Sequence, residues 1–203
     1  DTQFDSNSII LTPYRRKAEK LNAQGLSELQ TQEKYFRAKS SGNIKIQNLP
    51  VPEILILKEG AKVMFVRNNN PFWVNGSLGV IEEIFRNEII VNKEGELHSI
   101  EPEVWEEYRY VYDEGKGELE KHVIGTFTQI PLILAWAITI HKSQGSTIPS
   151  VHIDLDRGSF DHGQTYVALS RTEEISGISL SSPIKSHDIK VDPRIKDFYS
   201  RTL

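Results

Sequence analysis

The chain has 203 residues, 38% of them apolar and 26% charged, with a formal charge of −4 and no cysteine. That length suits one large domain or two small ones burying roughly 70% of the unfolded surface, and three Trp, seven Tyr and eight Phe suffice to fill a core, which excludes a disordered chain. Without cysteine there is neither a disulfide framework nor a thiolate metal site, and the composition suits a reducing compartment, with the cytoplasm the expected location.

The longest apolar run, Ile130 to Ile140, falls short of the roughly 18 residues that a membrane span needs, so no membrane is expected as a partner. The polar start, with Asp1 and Asp5, lacks the character of a secretory leader. A negative chain taken whole argues against a dedicated nucleic-acid binder, yet charge is uneven. Ile54 to Glu120 carries a balance of −7 and the remainder +3. The middle third reads as an acidic unit inserted into a mildly basic one.

In chain order, Ser8 to Thr12 is a short apolar run stopped by Pro13, a buried strand. Arg15 to Gln30 reads as a helix with Ala18, Leu21, Leu26 and Leu29 on its apolar side, weakened by Gly25. Glu33 to Ser40 is a candidate strand with Tyr35 inward, and Asn43 to Glu53, with Pro50 and Pro52, a crossing segment. Short β runs follow at Lys62 to Val66, Leu78 to Phe85, Ile89 to Asn92, Leu97 to Ile100 and Glu103 to Asp113. Asn75-Gly76 and Lys93-Glu94-Gly95-Glu96 supply their tight turns. Five short strands in this stretch suggest a small closed barrel. After Gln129 the α/β texture returns: a helix over Pro131 to Ser143, a strand at Ser150 to Leu155, a helix over Gly163 to Arg171 and a strand at Ile178 to Leu180. A terminal helix from Pro193 to Tyr199 would be capped by Asp192.

Three stretches carry groups able to do chemistry. Ala135 to Thr147 starts apolar, then brings Thr139, His141, Lys142, Ser143 and Gln144 together before Gly145, donors suited to phosphate. On composition alone, an amphipathic helix with a polar end capped by Gly145 is the favoured reading. Tyr166 to Arg171 ends an apolar helix on a guanidinium that can fork onto a phosphate, although a cation at a helix C-terminus is commonplace. Thr12-Pro13-Tyr14-Arg15-Arg16 places basic residues just beyond a strand, where α/β folds bind ligands. No G-x-x-x-x-G-K-[ST] phosphate loop occurs, and the histidines lack ligand spacing, so no metal site is expected. Asp154 and Asp156 read as solvated strand-end carboxylates.

These stretches resemble the C-terminal motifs of superfamily 1 DNA helicases of the Pif-type and RecD-like branch. Thr139 to Thr147 is similar to their motif V, Tyr166 to Arg171 to motif VI, and Leu11 to Arg16, with Asn22 following, loosely to motif IV. Gly60 to Asn68 with Asn75, Gly76 and Gly79 resembles the start of their Src-homology-3-like insertion. The resemblance implies an α/β fold: a RecA-like, P-loop NTPase-type domain lacking the P-loop (residues 1–53 and 121–203), with a small inserted β-barrel (54–120).

It further implies that Arg171 is the arginine finger on the γ-phosphate of ATP, that Gln144 and Gly145 face the nucleotide, and that Arg15 or Arg16 meets phosphate. Thr139, His141 and Lys142 would contact single-stranded DNA. ATP and Mg²⁺ would be held mainly by a first RecA-like domain that the sequence lacks, a partner expected in cis. The chain then reads as the C-terminal motor half of an ATP-dependent helicase, silent by itself. In that reading Arg171→Ala would abolish turnover and spare DNA binding. A non-catalytic module is the alternative. In it Phe72, Trp73 and Trp105 would form a stacking surface on the β insertion, although Trp105 reads rather as core, whereas Phe72-Trp73, flanked by Asn and Pro, reads as loop-exposed.

Overall fold

A computed structural model of the chain describes residues 8–45, 49–86, 88–113 and 115–202. In chain order, β1 (Ile9–Thr12) and α1 (Arg15–Glu28) come first. Ten strands follow: β2 (Lys34–Arg37), β3 (Lys39–Gly42), β4 (Ile54–Leu57), β5 (Lys62–Phe65), β6 (Leu78–Ile84), β7 (Ile89–Lys93), β8 (Glu96–Ile100), β9 (Glu103–Asp113), β10 (Glu118–Gln129) and β11 (Leu132–Leu134). The chain closes with β12 (Ala137–Thr139), β13 (Val151–Ile153), α2 (Gln164–Leu169), β14 (Ile178–Leu180) and α3 (Pro193–Thr202). Two compact units result, one of Asp1–Glu28, Asn75–Ser77 and Leu134–Leu203, the other of Leu29–Val74 and Leu78–Ile133. Residues 1–7, where the polar start was read, and part of the expected crossing segment at 43–53 lie outside the described residues.

The first unit is built on a parallel sheet in the order β12-β1-β13-β14. Ile10 pairs with Ala137 on one side and His152 on the other, and His152 pairs with Ser179. Leu11, Thr12 and Ile153 are buried, as befits central parallel strands covered on both faces. The α1 helix buries Ala18 and Leu26. Its Asn22 completes the sheet edge: the amide accepts the Ala137 N–H at 2.9 Å and donates to the Ala137 carbonyl at 2.8 Å. Gly25 is explained by packing, because a Cβ there would lie 2.5 Å from the Trp136 indole.

The helix expected over Pro131 to Ser143 does not form. That stretch is β11, β12 and a turn region after Thr139. Very short strands buried on both faces show no alternation, so a continuous apolar run fits a helix and a pair of strands equally well. Here the edge hydrogen bonds from Asn22 and the pairing of Leu11 with Ile138 decide for strands.

In the second unit a five-stranded sheet runs β11-β5-β6-β7-β8, with β5 to β8 antiparallel. Val63, Phe65, Ile81, Ile89, Val91 and Ile100 fill its core. The hairpin between β7 and β8 turns at Glu94 and Gly95, both at positive φ. The expected fifth member, Glu103 to Asp113, belongs elsewhere: β9 pairs with β10 in a separate sheet ordered β3-β10-β9, and β11 takes the fifth place. Eleven residue pairs with β10, broken by one register shift between Val123 and Gly125, hold it there. The compact unit accordingly extends beyond 54–120 at both ends.

Tyr35, expected inward, is exposed on the two-stranded ribbon of β2 and β4, and Phe36 turns inward instead. A two-stranded ribbon buries one face, and the period of two assigns that face to Phe36. Among the described residues no helix is long and apolar enough to cross a membrane.

Candidate functional site

In a parallel sheet every strand delivers its following loop to the same edge, and α/β proteins bind ligands there. Three loops of the first unit meet this description: 13–14 after β1, leading into α1 at Arg15, 140–147 after β12, and 154–163 after β13.

The second loop is tied down tightly. The Ile140 amide donates to the Thr12 carbonyl at 3.0 Å, and the Ser143 amide to the Thr139 carbonyl at 3.1 Å. The buried Ser143 hydroxyl donates to the Ile140 carbonyl at 2.8 Å. The Lys142 amide donates to the Thr139 hydroxyl oxygen at 3.3 Å, so Thr139 caps the turn and keeps its own O–H to donate. Gly145 sits at φ 78°, a conformation that favours glycine. It ends a turn, not a helix. Gln144 is exposed beside it. On another side Gly76 comes so close that a Cβ would collide with the Ser146 hydroxyl.

Arg171, at the end of α2, reaches this turn. Its Nη1 donates to the carbonyls of Ser143 at 3.0 Å and Ser146 at 3.1 Å, its Nε to the Val167 carbonyl at 2.8 Å, and its Nη2 to the Ser170 hydroxyl at 2.9 Å. Four of the five guanidinium N–H groups are thereby engaged within the unit. The Ile148 amide also donates to the Arg171 carbonyl, at 2.9 Å.

Aromatic groups gather at the same edge. The Phe160 ring lies 5.7 Å from Tyr14 and 6.0 Å from His141, and the Arg157 guanidinium stands 5.5 Å from the Tyr14 ring centre. The Tyr14 hydroxyl donates to the Gly158 carbonyl at 3.0 Å. Phe160 is half exposed, and its amide donates to the buried Gln164 side chain at 3.1 Å, which fixes the loop. His141 Nε2 is 3.4 Å from Asp161. Bonds from the His162 amide and the His141 ring hold the Asp161 carboxyl below its usual range.

The basic groups are near one another electrostatically. Partial burial, then the charge of Arg15, lowers the Lys142 ammonium from its ordinary value, and Glu19 opposes the shift. Arg15 Nε donates to Glu19 at 2.7 Å, and Arg16 is exposed. Asp154 and Asp156 face Lys17, at 2.6 and 3.8 Å. Burial pushes the Asp154 carboxyl up, but the bond from Lys17 and the Asp156 amide overcome this and hold it below the ordinary range. With these two carboxylates engaged by an ammonium, the described residues present no oxygen set fitted to Mg²⁺.

The structure thus brings Arg15 at the start of α1, Thr139 at the end of β12, and His141, Lys142, Gln144 and Gly145 in the following loop to one sheet edge, and ties Arg171 to the 143–146 turn. Sequence reading missed Phe160, Arg157 and the part played by Tyr14. Their one signal was position shortly after a strand. The β-unit aromatics behave differently. Trp73 packs on Phe65 at 4.9 Å and on His98 at 5.4 Å, leaving Phe72 exposed. Trp105 sits half buried between Phe127 and the Arg67 guanidinium, away from the five-stranded sheet's core.

A parallel α/β sheet with donor groups and aromatic rings at its carboxyl edge has the layout in which α/β proteins bind ligands. No family model matches the chain. It is 34% identical over 207 residues to the ATP-dependent DNA helicase Pif1 of Bdellovibrio bacteriovorus, covering 99% of this chain and 45% of that protein. It is 35% identical over 161 residues to human ATP-dependent DNA helicase PIF1, covering 74% and 23%. Its fold matches unliganded Pif1 from Bacteroides sp. with a TM-score of 0.87 at 31% identity, over 98% of this chain and 46% of that one. The same helicase in complex with ADP-AlF3 and single-stranded DNA matches with a TM-score of 0.75. The homologues of this chain are Pif1 DNA helicases, aligned along nearly its whole length. The chain spans less than half the length of these relatives.

Proposed function

We propose that the chain is the C-terminal motor half of an ATP-dependent DNA helicase: a second RecA-like domain carrying a Src-homology-3-like β insertion. The observation that carries this reading is the convergence of three loops, far apart in sequence, on one carboxyl edge, with basic groups, aromatic rings and a guanidinium-bound turn, in a homologue of Pif1 helicases.

In this reading single-stranded DNA crosses that edge. Its bases stack on Phe160, His141 and Tyr14, since every base offers a π-face. Its phosphates take bonds from Thr139, Lys142 and Arg157. ATP lies on the side of Arg171, with Gln144, Gly145 and Arg15 or Arg16 around its phosphates. A preceding domain in cis supplies the phosphate-gripping loop and the divalent metal. When bound, that metal neutralises charge developing on the phosphoryl oxygens. This chain's own contribution is cationic: Arg171 adds positive charge opposite the leaving group. By itself the chain turns over no ATP, because positioning from one side leaves the reacting groups unaligned.

In the full-length polypeptide, Arg171→Ala is expected to lower DNA-stimulated ATPase by roughly a thousandfold or more. Turnover within a few-fold of the unaltered protein would remove the finger assignment. For the non-catalytic alternative, Trp73 and Trp105 are half buried against Phe65 and Phe127, and of its three rings Phe72 is the one left exposed.

A further inference from the structure

We propose that Arg171 is a two-position clamp: at rest it holds the 143–146 turn, and on meeting a phosphate it surrenders the carbonyl of Ser143, of Ser146 or of both. Nucleotide and the DNA-contacting turn then compete for one guanidinium. The inference rests on the reading that Arg171 faces a phosphate and says what that encounter must cost.

The geometry forces the competition. A guanidinium grips a phosphate with two parallel N–H groups along one edge of its fork. Both N–H groups of Nη1 are spent on the Ser143 and Ser146 carbonyls, Nε is spent on Val167, and a single N–H of Nη2 is left over. No edge offers two open donors. The Nε bond lies within the last turn of α2, at i−4, and travels with the side chain. A phosphate taken on the Nη1–Nη2 edge pairs the open Nη2 N–H with an Nη1 N–H, and so displaces at least one of the Nη1 bonds to the separate 143–146 turn.

Beyond Arg171, the turn is held by its own short-range bonds, Ser143 to Thr139, Gln144 to His141 and Ser146 to Ser143, with Gly145 at positive φ between them. His141 and Lys142 immediately precede Ser143. Releasing the turn therefore shifts the two side chains placed on DNA. The expectation that replacing Arg171 would spare DNA binding gives way. Loss of the clamp loosens those contacts as well.

Hydrogen exchange on the full-length polypeptide tests this, with and without the non-hydrolysable analogue adenylyl imidodiphosphate. In the unaltered protein the analogue is expected to speed exchange of the amides of Ser143, Gln144 and Ser146 by roughly tenfold, within the range of ordinary site-to-site coupling. In Arg171→Lys, which keeps the charge and loses the fork, those amides exchange fast from the start and ignore the analogue, while β1 and β13 stay protected. Unchanged or slowed exchange in the unaltered protein on adding the analogue overturns the clamp. That arm needs no variant, so a misfolded Arg171→Lys leaves the proposal decided. ATPase measured on the same samples judges the finger reading separately. Lost turnover in Arg171→Lys together with nucleotide-blind amides in the unaltered protein sinks the clamp alone, whereas normal turnover in Arg171→Lys sinks the finger.

Discussion

The two units solve the same packing problem with opposite consequences. In the α/β unit the strands are three or four residues long, buried, and joined by long polar loops that all emerge at one edge. Tyr14, His141 and Phe160 meet there although 127 and 146 residues separate the first from the other two. In the β unit consecutive strands pair as hairpins; Trp73 packs on Phe65 and Trp105 on Phe127, while Phe72, Tyr110 and Tyr112 stay exposed along the strands and turns. Parallel topology gathers distant residues into a site. Antiparallel topology pairs segments close in sequence, so its contacts stay local.

The sharpest way to break this contrast lies in the sheet edge that supports the site. Asn22→Ala leaves the N–H and carbonyl of Ala137 without their partner and is expected to destabilise the α/β unit by about 2–3 kcal/mol. Chemical denaturation measures it, and a loss below ~0.5 kcal/mol would show that water replaces the side chain. A smaller effect of different kind is expected at the ring cluster. Phe160→Ala should weaken binding of a single-stranded oligonucleotide roughly 5- to 150-fold and leave stability nearly unchanged. Trp105→Ala should do the reverse, costing ~1–2 kcal/mol of stability with oligonucleotide affinity intact. Equal effects of the two on affinity, followed by fluorescence anisotropy, would erase the distinction between the units.

Gly25→Ala comes next. Alanine favours a helix by about 1 kcal/mol, but its Cβ would press into the Trp136 indole, so a net loss of ~1 kcal/mol is expected. A gain in melting temperature would mean that Trp136 moves aside.

The smallest effect concerns α3. Bonds from the Arg194 side chain and amide hold the Asp192 carboxyl down at about 2, against an ordinary 3.8. A depressed folded-state value contributes stability above the unfolded one, lost as pH falls through the folded one. The first turn of α3 should thus loosen between pH 4 and 2, seen as a shift of the Arg194 amide resonance. Asp192→Asn should flatten that titration.

Much of the architecture was legible beforehand because local chemistry dictates it. Pro13 stops β1, Asp192 caps α3 through the Arg194 amide, and Glu94-Gly95 turns a hairpin. The basic residues after β1 and the polar run after Thr139 also stood out, since polar side chains following apolar strands are visible in one dimension. The ring of Phe160 did not stand out. Nothing local marks it, and its meaning comes from Tyr14 and His141, which only sheet register brings near. The stretch 131–143 was misread for a related reason: apolarity reports burial without saying whether the burial is helical or extended.

The cap of α3, the turn positions and the acidic character of the middle third follow from the order of residues alone, because capping, turn chemistry and charge act over a few positions. Which strand joins which sheet, and where the Arg171 guanidinium spends its hydrogen bonds, was decided by packing between segments far apart in the chain. Those contacts exist only once the sheets have formed.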